Sequence, residues 1–163
     1  FNGSTIKDYI GLGDPASLKP SSAITVSAWI KTSSTSSQRI VRRSTYGYNL
    51  AMSSPGTIYF TVYGGATGYT ASSSQTYSNG VWHHVVGVYN NTSVNLYIDG
   101  VLIDSKPTGS GQSIYYHLDL AGIAIGRDGG ADFRYFNGNI DDVRIYDVIL
   151  DAEQVQYLYD STK

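Results

Sequence analysis

At 163 residues the chain has room for one domain that buries roughly two thirds of its unfolded surface, so it needs no disulfide or metal staple for stability. Its 11 basic and 13 acidic residues give a formal charge of -2 with no basic run, which excludes the electrostatic footprint of a nucleic-acid or anionic-membrane binder. Cysteine is absent, which leaves the redox compartment open, while 15 Tyr, 18 Gly and abundant Ser and Thr in place of charge describe a β-rich surface suited to an extracellular, secreted or cell-surface module.

The opening "FNGSTIKDYI" lacks the basic and apolar blocks of a signal peptide and begins at Phe1, and no window approaches 18 consecutive apolar residues. No membrane insertion is expected, and residues 1–163 are expected to be one domain taken from a larger parent. The first clear element is "AITVSAWIK", where Ile24, Val26, Ala28 and Ile30 share one face and Thr25, Ser27, Trp29 and Lys31 the other, the period-2 mark of a half-buried strand. "KTSSTSSQ" follows as a Ser-rich loop. Strands are expected at "RIVRRS", "YNLAM" and "TIYFTVY"; in the last, Ile58, Phe60 and Val62 take the core, and Thr57, Tyr59, Thr61 and Tyr63 the opposite, concave side. "ASSSQTYSNG" reads as a second Ser-rich loop.

Further strands follow at "WHHVVGVY" and "VNLYIDGVLID", the latter folded back at Asp99-Gly100, a pair that readily supplies the two positive φ values of a type I′ turn. "GIAIG" and "NIDDVRIY" complete the set. The last sets Asp141 and Asp142 side by side in a strand, where Asp is disfavoured and neighbours point to opposite faces. "LDAEQVQYLYD" carries the helix signal: Asp151 as N-cap, Gln154 at the reciprocal position, and Val155, Leu158 and Tyr159 at helical spacing. Short strands with turn signals at this spacing predict an all-β sandwich or jelly roll, with one short C-terminal helix packed on it.

The ordered segments "FNGS…DYI", "ITVSAWIK", "GVWHHVVGVYN…VNLYIDGVLI", "IAIGRD" and "FNGNIDDVRIYDVILDAEQVQYLY" together resemble a laminin-G-like domain of the concanavalin A-like jelly-roll superfamily, from Phe1 to Tyr159. The resemblance implies an all-β, two-sheet antiparallel jelly-roll sandwich with one short C-terminal helix, but it spans carbohydrate-binding modules, adhesion domains, lectins, glycosidases and lyases, so function rests on residues. It also implies a structural calcium (Ca2+) on the convex side, held by Asp141 with oxygens from near Asn2 or Gly3 and from a loop such as residues 33 to 37, a donor set suited to a hard ion that takes 6 to 8 oxygens.

Retaining glycosidases of this superfamily need two carboxylates about 5 Å apart on a central strand. "TIYFTVY" has none, and the only glutamate of the chain, Glu153, belongs to the first turn of the expected helix. His83 and His84 fall on opposite strand faces, and three His with no Cys and no H-x-x-x-H spacing make no zinc site. The chain is therefore expected not to be an enzyme. Tyr59 and Tyr63, with Arg42 and with Tyr48 and Asn49 on the next strand, are expected to form a ligand-binding strip, rings stacking on sugars while polar groups fix their hydroxyls. The loop "RDGGADFRYFNG" supplies Asp132, Arg134 and Tyr135 as a second contact region, whereas Trp29 and Trp82 read as framework. The expectation is a non-catalytic carbohydrate-binding module whose partners are a polysaccharide or glycan and the other domains of its parent. Its rivals are an adhesion or protein-interaction domain working through edge loops, and a polysaccharide lyase or glycosidase.

Overall fold

The computed structural model describes residues 1–3, 7–43, 46–109, 111–117, 122–128 and 134–163. Its strands are β1 (Ile10–Gly13), β2 (Ile24–Lys31), β3 (Gln38–Arg43), β4 (Tyr48–Ser53), β5 (Thr57–Gly64), β6 (Thr67–Thr76), β7 (Trp82–Tyr89), β8 (Ser93–Ile98), β9 (Val101–Pro107), β10 (Ile123–Ile125) and β11 (Asn139–Tyr146), followed by helix α1 (Ala152–Thr162). They form a six-stranded sheet in the order β1-β10-β3-β4-β5-β6 and a five-stranded sheet in the order β11-β2-β7-β8-β9. Every pairing is antiparallel, so the expected all-β sandwich with a C-terminal helix is what the chain adopts.

The core lies where the inner faces meet, and clean alternation predicts its members on β5: Ile58, Phe60 and Val62 are at most 1 % exposed. Facing them, β2 contributes Ile24, Val26, Ala28 and Ile30 to the same cluster. Gly87 on β7 makes room for the ring of Phe60; a Cβ there would sit 2.1 Å from Phe60 Cγ. At one end of the core the buried Arg43 guanidinium bonds Asp14 Oδ1 at 3.3 Å and the His117 carbonyl at 2.9 Å, and stacks on Tyr116.

The Asp99-Gly100 hairpin forms as expected, with φ of +51° and +82°. The helix cap does too: Asp151 Oδ1 accepts from the Gln154 N–H at 2.9 Å, and Gln154 Oε1 accepts from the Asp151 N–H at 3.0 Å. Val155 and Leu158 are buried, and Val155 packs on Val86, Val88 and Tyr97 of the five-stranded sheet. Among the described residues no helix is long and apolar enough to cross a membrane.

Four expectations change. The segment read as a Ser-rich loop from Ala71 is largely β6, an edge strand whose inward Ala71 and Ser73 are too small to register as an apolar face. Strand β2 is buried on both faces, because the C-terminal segment wraps its outside: Thr25 Oγ1 donates to the Val148 carbonyl and Trp29 Nε1 to Thr162 Oγ1. Tyr48 belongs to the core and not to the ligand strip; it is 0 % exposed and its hydroxyl donates to the Leu18 carbonyl. Finally, Asp141 and Asp142 do not diverge. Asp141 pairs with Trp29 and Arg144 with Ser27, a β-bulge with one extra residue, and Asp142 at φ +45° turns outward with its neighbour while Val143 packs on the core.

Candidate functional site

Antiparallel register lays two polar rows across the outer face of the six-stranded sheet. One runs Ala124, Arg42, Asn49, Thr61, Thr70, and the next runs Arg39, Ala51, Tyr59, Ser72. Strict alternation along β3 would separate Arg39 from Arg42. A bulge between Arg39 and Val41 inserts Ile40 on the core side and returns both guanidiniums to the outer face.

The two rows are tied together through Tyr59. Its hydroxyl accepts from Arg39 Nη1 at 2.7 Å and from Asn49 Nδ2 at 3.2 Å, reaching Arg39 over the small side chain of Ala51. With both lone pairs occupied, the phenolic O–H is left as a donor. Asn49 is 6 % exposed, and its Oδ1 is buried with no hydrogen-bond partner among the described residues. In the same row Thr61 Oγ1 and Thr70 Oγ1 are 2.8 Å apart.

Asp128, just past β10, anchors the arginines. Arg42 Nε lies 2.7 Å from Oδ1, Arg39 Nε 3.4 Å and Arg134 Nη1 3.8 Å from Oδ2. Burial pushes the Arg39 guanidinium below the usual arginine range, with Tyr59 and Asp128 opposing the shift, and it stays charged at any ordinary pH. The backbone N–H of Arg39 also donates to the Arg134 carbonyl at 3.1 Å. Two contact regions expected separately, the β3 to β5 strip and the loop of residues 127–138, therefore meet in one cluster, where Arg39 and Asp128 link Arg42, Tyr59 and Arg134. Tyr135 stands to one side, its ring 5.9 Å from Lys7 Nζ, and Asp132 lies outside the described residues.

Tyr63 marks the aromatic end of this face. Its ring meets Tyr46 edge-on at 5.3 Å, and Tyr46 lies 5.2 Å from Tyr115 and 5.9 Å from His117. Arg39, Tyr46 and Tyr115 were not singled out by sequence as site residues, whereas Asn49 was expected in the strip and Asp128 in the loop. For Arg39 the obstacle was the bulge; for Tyr46 and Tyr115 it was their place in turns with no period.

Asn2, Gly3 and Asp141, expected to share a calcium with the loop of residues 33 to 37, each have contacts of their own. Asn2 bridges to Asn137 and its N–H donates to Asp8, and Gly3 abuts the backbone of Tyr135 and Phe136. Asp141 stands four residues beyond Asn137, beside Trp29, and its Oδ1 accepts from the Asp142 N–H. No functional step is routed through the ion.

The chain is a two-sheet antiparallel sandwich that displays polar side chains and aromatic rings on one outer sheet face. Residues 2–156 match the laminin-G-like family described as the concanavalin A-like lectin/glucanases superfamily, and the chain belongs to it. Among solved structures it is similar to a proposed carbohydrate-binding protein from Bacteroides ovatus, with a TM-score of 0.74 and 19% identity over 91% of this chain and 43% of that one. It is similar also to domain 4 of AbnA, a GH43 extracellular arabinanase from Geobacillus stearothermophilus, in complex with arabinotriose (TM-score 0.67, 21% identity, 88% of this chain and 69% of that one). A third is a heptameric SAP-like pentraxin from Limulus polyphemus (TM-score 0.63, 21% identity, 86% of this chain and 71% of that one). The chain spans less than half of the Bacteroides protein, and at these identities the likeness shows the fold. A search of curated proteins returns no match.

Proposed function

We propose that the chain is a non-catalytic carbohydrate-binding module of a larger secreted or cell-surface protein, holding a polysaccharide on the outer face of its six-stranded sheet. The Tyr59 network carries this reading. An oriented O–H donor at Tyr59 and the Thr61 and Thr70 hydroxyls share this face with the Tyr46, Tyr63 and Tyr115 rings. Hydroxyl groups both donate and accept, and aromatic faces take the apolar side of a sugar ring, so a glycan matches both halves of the surface. The fold shared with the arabinose-oligomer-bound domain supports the same class of ligand.

Glycoside hydrolysis would need a pair of carboxylates, about 5 Å apart for retention or about 6.5–9.5 Å apart for inversion. Asp128 is instead engaged by Arg39, Arg42 and Arg134, which suits a positioning group and not a nucleophile. The rival protein-interaction reading has one observation in its favour: the edge strand β9 exposes Val101, Leu102 and Ile103 at 59%, 50% and 37%. Affinity electrophoresis in gels containing individual polysaccharides separates the two. Retardation by at least one glycan, abolished by Tyr59→Ala with Tyr63→Ala and kept on Leu102→Ser, supports the module; no retardation by any glycan contradicts it.

A further inference from the structure

We propose a second binding site, for a neutral saccharide, on the outer face of the five-stranded sheet where β11 meets the end of α1. An open cavity of about 460 Å³ lies there, with Trp29, Trp82, Tyr159, Asp141, Asp142 and Lys163 in its lining. Its volume falls in the range of small-ligand sites. Trp82 was read as framework, yet it is 41% exposed, while Trp29 is 9% exposed and is held behind by its bond to Thr162 and by Tyr159, whose ring stacks on it at 5.7 Å. The wall is therefore rigid at the back and open at Trp82.

The charged groups narrow the ligand. The bulge at Asp142 brings both carboxylates to this face; Asp142 Oδ1 is engaged by Arg144 Nε at 2.8 Å, and Asp141 is exposed. Lys163 Nζ sits over the Tyr159 ring at 5.0 Å. A cationic ligand would meet Lys163 already on the aromatic face, and an anionic one would meet the aspartates. A neutral ligand with hydroxyl groups donates to Asp141, accepts from Lys163 and lays its C–H face on Trp82 without repulsion from either. Two such sites on opposite sheets would let one domain grip two stretches of glycan.

Both tryptophans of the chain line this cavity, so indole emission reports it, whereas the first site is built of tyrosines. The test is a fluorescence titration of the whole chain with arabinotriose, xylotriose and cellotriose, with choline as a cationic control. The expected result is a saturable change in tryptophan emission with at least one trisaccharide, kept in Tyr59→Ala with Tyr63→Ala and weakened at least tenfold by Asp141→Ala. Silence with all three sugars, a response to choline alone, or a sugar response untouched by both Asp141→Ala and Trp82→Phe overturns the proposal. Failure of the first site reads out separately, as polysaccharide retardation that ignores Tyr59 and Tyr63.

Discussion

Arg39 and Tyr59 lie two strands apart on one sheet face, and the guanidinium of the first donates to the hydroxyl of the second at 2.7 Å across Ala51. The bond converts a surface tyrosine into an oriented donor. An unengaged tyrosine on a sheet face would offer only its ring.

Tyr59→Phe separates those roles. It keeps the ring but removes the hydroxyl, leaving Arg39 Nη1 and Asn49 Nδ2 without that acceptor. The expected outcome is glycan affinity lowered about tenfold, the worth of one to two hydrogen bonds, with the protein still folded. Affinity electrophoresis at graded polysaccharide concentration measures it, alongside a melting curve.

The contact between Gly87 and Phe60 sets the spacing of the two sheets. Gly87→Ala drives a methyl into the Phe60 ring and is expected to destabilise by about 1–3 kcal/mol, or roughly 2–12 °C in Tm for a chain of this size. Phe60→Leu in the same chain should recover part of that loss, so the double-mutant cycle in chemical denaturation shows a coupling well away from zero.

Stability should fall on mild acidification through His84. The ring is 1% exposed beneath Trp29 and Tyr159, and its Nδ1 has no hydrogen-bond partner among the described residues. Burial lowers its pKa from 6.5 to about 4 against the attraction of Asp99 and Asp142. Between those values the unfolded chain takes up a proton that the folded chain refuses. Stability is therefore full above pH 6.5, declines as pH falls through the window, and has lost on the order of 3 kcal/mol from this group near pH 4. His84→Phe should flatten the Tm profile between pH 6.5 and 4, which differential scanning calorimetry checks.

How far the sequence reveals this protein depends on the regularity of each strand. On β5, where large and polar residues alternate without interruption, the inward and outward sets are legible, and with them Tyr59 and Tyr63. The capping box at Asp151 and Gln154 is local chemistry and equally legible. Bulges are not: nothing in "RIVRR" or "IDDVRI" marks the extra residue that unites Arg39 with Arg42, or Asp141 with Asp142. Tyr48 and Asn49 are neighbours on one strand, so only one of them can face the ligand side, and the core took the tyrosine because its hydroxyl finds the Leu18 carbonyl. Strand β6 was hidden by serine, whose size suits an edge but gives no hydrophobic period.

The most direct test of the account is affinity electrophoresis of the wild-type chain and the Tyr59→Ala, Tyr63→Ala variant against arabinan, xylan, β-glucan and galactomannan, with Tm measured for both proteins. The account predicts that the wild type is retarded by at least one of these polysaccharides, and that the variant migrates as it does in a gel without polysaccharide while still melting cooperatively. A folded variant retarded as strongly as the wild type would contradict it.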